Sequence, residues 1–325
     1  MAAHNHADYV VEALASAGRQ SNRDFEVVVV DDGSTDATAD RIASWMADFT
    51  RSHQNPVRLH RIRNSGQSAA MAHGFGDCRG RYICLLDSDD RWLENKLEEV
   101  QRAAEAAPDA GMIVHPMHVI DSLGRRTGQV RPLRARLSNG DCRDALRRTG
   151  RHVAPGTSGV VIRSDIFARL VPMPTSTFPF GADAYLTFGA TLLAPVRALS
   201  EPLAEYRIHS SGQYLRRMVT EEGLTRTCEF QRTIAGHFGL EAVLQRNSYF
   251  MRNVFALGKL KGGYGSQLAA YRSLIGATAH DDSFRPEVRL LLNAFWSVCF
   301  LAPRPVFLRL WRRFQLMQTA YPRST

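Results

Sequence analysis

Lysine is nearly missing from this chain. Only Lys96, Lys259 and Lys261 occur in 325 residues, so the 41 basic side chains are almost all arginine. The formal net charge of +9 is therefore an arginine charge, and it is uneven. Residues 125–151 hold nine Arg against two Asp, and residues 283–325 hold seven Arg against one Glu, which leaves the remainder slightly acidic. Clustered Arg suits phosphate-bearing ligands or an anionic membrane surface, with a solvated face as the plain alternative; nucleic acid is not an expected partner. The five cysteines form no CxxC pair and no His/Cys ligand spacing. That excludes a zinc framework and a disulfide scaffold, and the expectation is reduced core thiols in a cytoplasmic protein. "MAAHNHADYV" lacks the basic and apolar regions of a signal peptide. The most apolar late stretch, "LLLNAFWSVCFLA" from residue 290, is shorter than the ~20 residues a membrane span needs. No internal repeat or low-complexity segment occurs.

What is present is an alternation of strand-like and helix-like segments over the first two hundred residues. Strands are predicted near "FEVVVV" at 25, "VRLHRI" at 57, "YICLL" at 82, "GMIVHPMHVI" at 111 and "SGVVIR" at 158, with helical spacing between most of them. This predicts a mainly parallel α/β sheet flanked by helices over residues 1–212. After about residue 213 only helical apolar spacing remains, so residues 213–325 form a helical C-terminal region.

Ligands of open α/β sheets gather at the carboxyl ends of strands. Two such ends are acidic here. In "VVVVDDGSTDAT", Asp31 and Asp32 follow four valines, Gly33 permits a tight turn, and Ser34 or Asp36 can cap the next helix. In "CLLDSDDRW", an apolar strand runs into Asp87, Asp89 and Asp90. Carboxylates this close repel one another unless solvent, a helix N-terminus or a cation neutralises them, and a divalent metal is the sharpest of those answers. Turn and cap chemistry at the first end, and a solvated loop ahead of "ENKLEEV" at the second, are the plainer readings.

The ordered set "DFEVVVVDDGSTDAT", "NSGQSAAMAHGF" and "GRYICLLDSDDRWLENKLE" resembles the family 2 glycosyltransferases of GT-A fold, over roughly residues 3–212. The resemblance implies an inverting enzyme that moves a sugar from a UDP-, GDP- or dTDP-linked donor to a hydroxyl of a glycan or lipid-linked acceptor, in bacterial envelope or exported polysaccharide synthesis. It makes Asp31 and Asp32 nucleotide contacts, and Asp87 and Asp89 the DXD pair that holds Mg²⁺ or Mn²⁺, with Asp89 as the main ligand. The chemistry suits these residue types: a hard cation held by carboxylates neutralises a leaving diphosphate, and a carboxylate can accept the imide N–H of uracil. Ser34, Asn64 and Gln67 join the donor side, the last two with helix capping as alternative. The family's Asn two residues before the final Gly of "NSGQSAAMAHG" is Ala72 here. In "FPFGADAYLTFGATLLAPVRALSEPLAEYRIHSSG" the resemblance places the general base at Asp183, and sets Arg207 and His209 near the diphosphate or metal. "PGTSGVVIRSD" sets Thr157 and Ser158 on the acceptor side.

Two other classes compete. "LLDSDD" resembles the nucleophile motif of haloacid dehalogenase-like phosphatases, but Arg91 stands where those enzymes want Thr or Val. A degenerate domain that binds nucleotide or glycan without catalysis is the other, opposed by the joint presence of Asp87, Asp89 and Asp183. Two terminal features add expectations. The tail "RPVFLRLWRRFQLM" can set Phe307, Leu308, Trp311 and Phe314 into a bilayer surface while Arg309, Arg312 and Arg313 meet anionic head groups, making the protein peripheral at the inner face of the plasma membrane; packing onto the protein is the alternative. Family members open with an apolar strand before the turn in which "MAAHN" already lies, so the first strand is expected to be truncated and the true start to lie roughly ten residues upstream. The chain as written would then leave the "VVVV" strand with an open edge and aggregate.

Overall fold

The computed structural model describes residues 1–132, 136–171, 173–174, 181–209, 220–281 and 284–319, with side chains described through residue 315 of the last helix. It divides into two compact units, one of residues 1–143 and 153–208, the other of residues 144–152 and 209–325.

The first unit is built on β2 (Val27–Asp32), whose six residues are all buried. Strands covered on both faces read as continuous apolar runs rather than alternating ones, and four consecutive valines do so here. β1 (Ala2–Ala3) and β3 (Val57–Ile62) pair with β2 in parallel, one on each side. A second sheet has the order β10 (Val196–Ala198), β6 (Met112–Val114), β9 (Val160–Arg163), β4 (Tyr82–Cys84), and in it β9 runs antiparallel to both neighbours. A third carries β5 (Arg91–Trp92), β11 (Ala204–Arg207), β7 (Met117–Ile120) and β8 (Arg126–Arg131). Parallel pairs form the nucleus, and the later strands make the sheet system mixed.

The segment "GMIVHPMHVI" is two strands rather than one. Pro116 has no N–H to give to a ladder, so pairing breaks at His115–Pro116 and the chain passes from the second sheet to the third. The helices α1 (Val10–Gly18), α2 (Thr38–Ser52), α3 (Gln67–Phe75) and α4 (Lys96–Ala106) follow the predicted spacing. Asp36 starts α2 by accepting from the backbone N–H of Thr38 at 2.9 Å.

The beginning of the chain partly fills the place expected of a central strand. Ala2 and Ala3 pair with Val30 and Asp31, the Met1 amino group donates to the Val28 carbonyl at 2.8 Å, and Ala2 also bridges to Asp87. Below this short strand lies a cavity of about 710 Å³ whose lining includes Met1, Val28, Val30, Met71, Cys84 and Leu86. On the β1 side the pairing reaches from Val28 to Asp31, whereas β3 pairs with β2 from Val27 to Asp32.

In the second unit, helices at Glu221–His237, Ser248–Lys261, Tyr264–Ala279, Pro286–Leu301 and Arg304–Thr319 enclose an aromatic core. Phe307, Trp311 and Phe314 of the expected membrane tail lie in that core with Phe255 and Trp296, and Leu308 packs against it. The Trp296 and Phe314 rings are 4.9 Å apart. The tail's aromatic face is therefore occupied by protein. Asn247 caps the Ser248 helix by accepting from Phe250 N–H at 3.0 Å and donates to the Gly150 carbonyl at 2.6 Å, and Arg151 pairs with the buried Asp281. All five cysteines are free, with Cys228 and Cys299 buried and Cys78, Cys84 and Cys142 half-buried. Among the described residues no helix is long and apolar enough to cross a membrane.

Candidate active site

The carboxyl end of β2 separates the two adjacent acids. Strand alternation sends Asp31 and Asp32 to opposite sides, and both are buried. Asp32 is fully engaged: its two carboxylate oxygens accept from Ser65 N–H at 2.7 Å and Gly66 N–H at 2.8 Å, which holds the entry to α3. Gly66 can enter that turn because it takes φ +89°. Asp31 accepts from Ser34 N–H at 3.3 Å through Oδ2, while its buried Oδ1 has no hydrogen-bond partner. A buried acceptor left open costs roughly 1–3 kcal/mol, so Oδ1 is a place for a ligand donor.

Around Asp31 the turn is tied to the start of the chain. Asn5, in left-handed geometry at φ 52°, donates its backbone N–H to Ser34 Oγ at 3.0 Å, and its side-chain oxygen accepts from Thr35 N–H at 2.8 Å. Gly33 is required here, since a Cβ would stand 2.5 Å from the Asn64 backbone nitrogen and φ is +66°. Asn64 Nδ2 lies 3.2 Å from His4 Nε2, and His4 Nδ1–H donates to the Asp32 carbonyl at 2.8 Å. Asn5 and His4 were not singled out by sequence reasoning; the signal was their place in the "HN" turn.

The second acidic end forms a loop between β4 and β5. Asp87, Asp89 and Asp90 each offer one carboxylate oxygen, and these oxygens lie within 4.8 Å of one another. Burial first, then the charges of Asp89 and Asp183, push the Asp87 carboxyl up to about 8. Asp90 is also raised well above its ordinary value, by burial and then by Asp89 and Asp87. Asp183, in the first turn of the Ala182–Leu193 helix, is raised by burial and partly restored by the helix N–H groups of Ala184 and Asp183. Hard oxygen donors held together at an electrostatic cost are the donor set that Mg²⁺ or Mn²⁺ takes, so the residues fit a divalent cation. Gln67 Nε2 donates to Asp87 Oδ1 at 3.3 Å, which ties the two acidic ends to each other.

Asp90 differs in role from its neighbours. It is buried and accepts from Ser158 Oγ at 2.7 Å and from Arg207 N–H at 2.8 Å. Ser158 Oγ in turn accepts from Asp87 N–H at 3.0 Å. Thr157 bonds the Asp87 carboxylate through its side chain. Thr157 and Ser158, expected on the acceptor side, are thus buried supports of the acidic loop. Arg207 supports it from behind: its Nε donates to the Asp89 carbonyl at 2.7 Å, Nη2 pairs with Glu12 at 2.5 Å, and the side chain is 1 % exposed. That guanidinium is occupied by protein rather than turned to solvent. His209 is buried and opens the second unit.

Sequence reading missed Lys96 and Glu12. Lys96 is fully buried, donates to the Ser158 carbonyl at 2.7 Å and sits 4.1 Å over the Trp92 ring; burial pushes its amine down to about 7. Glu12 pairs with both Arg91 and Arg207. A scarce lysine inside an otherwise apolar helical face was the available signal. Residues 178–180 and 210–212, at the ends of the stretch that carries Asp183, lie outside the described residues.

The sheet system that carries these carboxylates has the GT-A fold. The profile of glycosyl transferase family 2 matches residues 1–167, and the chain belongs to that family. It is 39% identical over 127 residues to the succinoglycan biosynthesis protein ExoO of Rhizobium meliloti, which covers 38% of this chain and 34% of ExoO. Among solved structures, S. aureus TarS 1–349 in complex with UDP superposes with a TM-score of 0.57 at 17% identity, over 99% of this chain and 91% of that one. The mannosyltransferase PcManGT from Pyrobaculum calidifontis, in complex with GDP-Man and Mn²⁺, gives 0.51 at 18% identity, over 98% and 84%. The chain spans between about a third and two thirds of the length of these curated relatives.

Proposed function

We propose that the protein is a metal-dependent, inverting glycosyltransferase that moves one sugar from a nucleotide-diphosphate donor to a hydroxyl of a glycan or lipid-linked acceptor in polysaccharide synthesis. The observation that carries this reading is the acidic loop, in which three carboxylate oxygens converge within 4.8 Å and Asp87 is driven up to about 8. Asp89 and Asp87 would hold the cation, which when bound neutralises the leaving diphosphate. Asp90 keeps the loop in shape through Ser158 and Arg207. Asp31 receives the base: its open Oδ1 suits an imide N–H, as in uracil or thymine, and Ser34 borders the same turn. The likeness to TarS, whose crystals hold UDP, supports a nucleotide donor without choosing its sugar.

Asp183 takes the proton from the acceptor hydroxyl. A carboxylate raised by burial is a stronger base than an exposed one, and general-base help of this kind contributes about 10² to 10⁴-fold. Asp183→Asn separates binding from chemistry. Donor affinity stays within a factor of about two, while turnover of donor with acceptor falls on the order of 10² or more. Loss of donor binding in this variant would make Asp183 a donor-site residue and move the base elsewhere.

A further inference from the structure

The Pro286–Leu301 helix has apolar residues on every side, a pattern that belongs to a helix covered all round. Its inner side is covered: Trp296 and Cys299 are buried, and Leu292 and Phe295 pack against the aromatic core. Its outer side is not. Leu290, Leu291, Val298 and Leu301 are 73%, 69%, 58% and 81% exposed. At 3.6 residues per turn, positions 290, 291, 294, 298 and 301 fall within about 100° of one another, so these side chains form one stripe along roughly 17 Å of helix. Tyr264 lies at its edge, 71% exposed with its ring 5.9 Å from that of Phe300.

The charge beside the stripe names its occupant. Arg285 precedes the helix, and Arg304, Arg309, Arg312 and Arg313 follow it, all exposed; Glu287 is the only acid between residues 284 and 315. A second copy of the chain would bring the same arginines against these, and four apolar side chains fall far short of the ~20–30 residues a side of a standard protein interface. An anionic bilayer answers both features at once, with acyl chains for the leucines and head groups for the arginines.

We infer that the outer face of the Pro286–Leu301 helix docks on an anionic lipid surface. The anchor is thus one helix earlier than the tail pattern suggested, because the tail's aromatic residues are spent on the core. The inference does not rest on the transfer reaction.

The test is flotation of the full chain with vesicles of phosphatidylcholine containing 30% phosphatidylglycerol, beside vesicles of phosphatidylcholine alone. The chain is expected to float with the anionic vesicles at low salt, and at least ~10-fold less with neutral ones or at high salt. A variant carrying Leu290→Ser, Leu291→Ser, Val298→Ser and Leu301→Ser is expected to lose on the order of 100-fold in partitioning, with its melting curve unchanged because the four positions face solvent. Wild-type protein that stays at the bottom, a variant that floats equally well, or equal flotation with neutral vesicles overturns the inference. So does light scattering that shows a wild-type dimer which the four substitutions dissociate.

Discussion

Replacing Asp87 by Asn should stabilise the metal-free protein, and by more as pH rises. Asp87 is pushed up to about 8 by burial and by Asp89 and Asp183, whereas in the unfolded chain it titrates near the ordinary value of about 3.9. Between these values the folded protein keeps a proton that the unfolded chain has released, so stability falls with rising pH through this window. The full slope is about 1.36 kcal/mol per pH unit, or ~3.4 kcal/mol from pH 5 to 7.5. Asp87 is half-buried, and solvent screening reduces this to roughly 1–2 kcal/mol. Asn cannot ionise, and its amide oxygen can still accept from Gln67. The melting temperature of Asp87→Asn should therefore gain on wild type by about 2–8 °C between pH 5 and 7.5, at ~2–4 °C per kcal/mol for a domain of this size. Saturating Mn²⁺ should reverse the order, because a ligand at ~100 times its Kd adds about 2.7 kcal/mol to wild type alone. Differential scanning calorimetry at the two pH values, with Mn²⁺ and with chelator, reads both effects. A gap independent of pH, or equal stabilisation of both proteins by Mn²⁺, would refute the argument that Asp87 sits in a strained metal site.

Adjacent acids should behave oppositely. Asp31→Ala should weaken nucleotide binding by ~10-fold or more while costing at most about 1 kcal/mol of stability, since Oδ1 has no partner to lose and Oδ2 gives up only its long bond from Ser34 N–H; calorimetric titration that gives wild-type affinity would remove Asp31 from the base site. Asp32→Ala should cost about 2–4 kcal/mol in urea denaturation, because it strands the N–H groups of Ser65 and Gly66. Adding an extended apolar segment of about five residues ahead of Met1 should raise the melting temperature by at least ~3 °C by filling the cavity beside Val28 and Val30. An unchanged melting point would mean that the slot does not accept a strand.

The two acidic strand ends were legible because valine and leucine runs that stop at carboxylates have few other uses in an α/β sheet. Their different tasks were not. Asp31 and Asp32 are neighbours in sequence, and only the register of β2 shows that one is spent on Ser65 and Gly66 while the other has an open oxygen. Thr157, Ser158 and Arg207 were set at the cleft by resemblance alone, which does not say where a side chain turns; the fold places them beneath the Asp87–Asp90 loop, where burial without partners would be costly. Residue pattern could not distinguish a bilayer from a protein core for Phe307, Trp311 and Phe314, since both reward the same apolar face. Partner helices decide it, and leave the Pro286–Leu301 helix with the uncovered side.

The central claim is that Asp87 and Asp89 hold a cation through which a nucleotide diphosphate binds. Isothermal titration of UDP and GDP into wild type and Asp89→Asn, each with Mn²⁺ and with chelator, tests it most directly. The account predicts that at least one nucleotide binds wild type ~10-fold or more tightly with Mn²⁺, and that Asp89→Asn abolishes the metal effect while its fold stays intact. Equal affinity with and without Mn²⁺ in wild type, or an undiminished metal effect in Asp89→Asn, would contradict it.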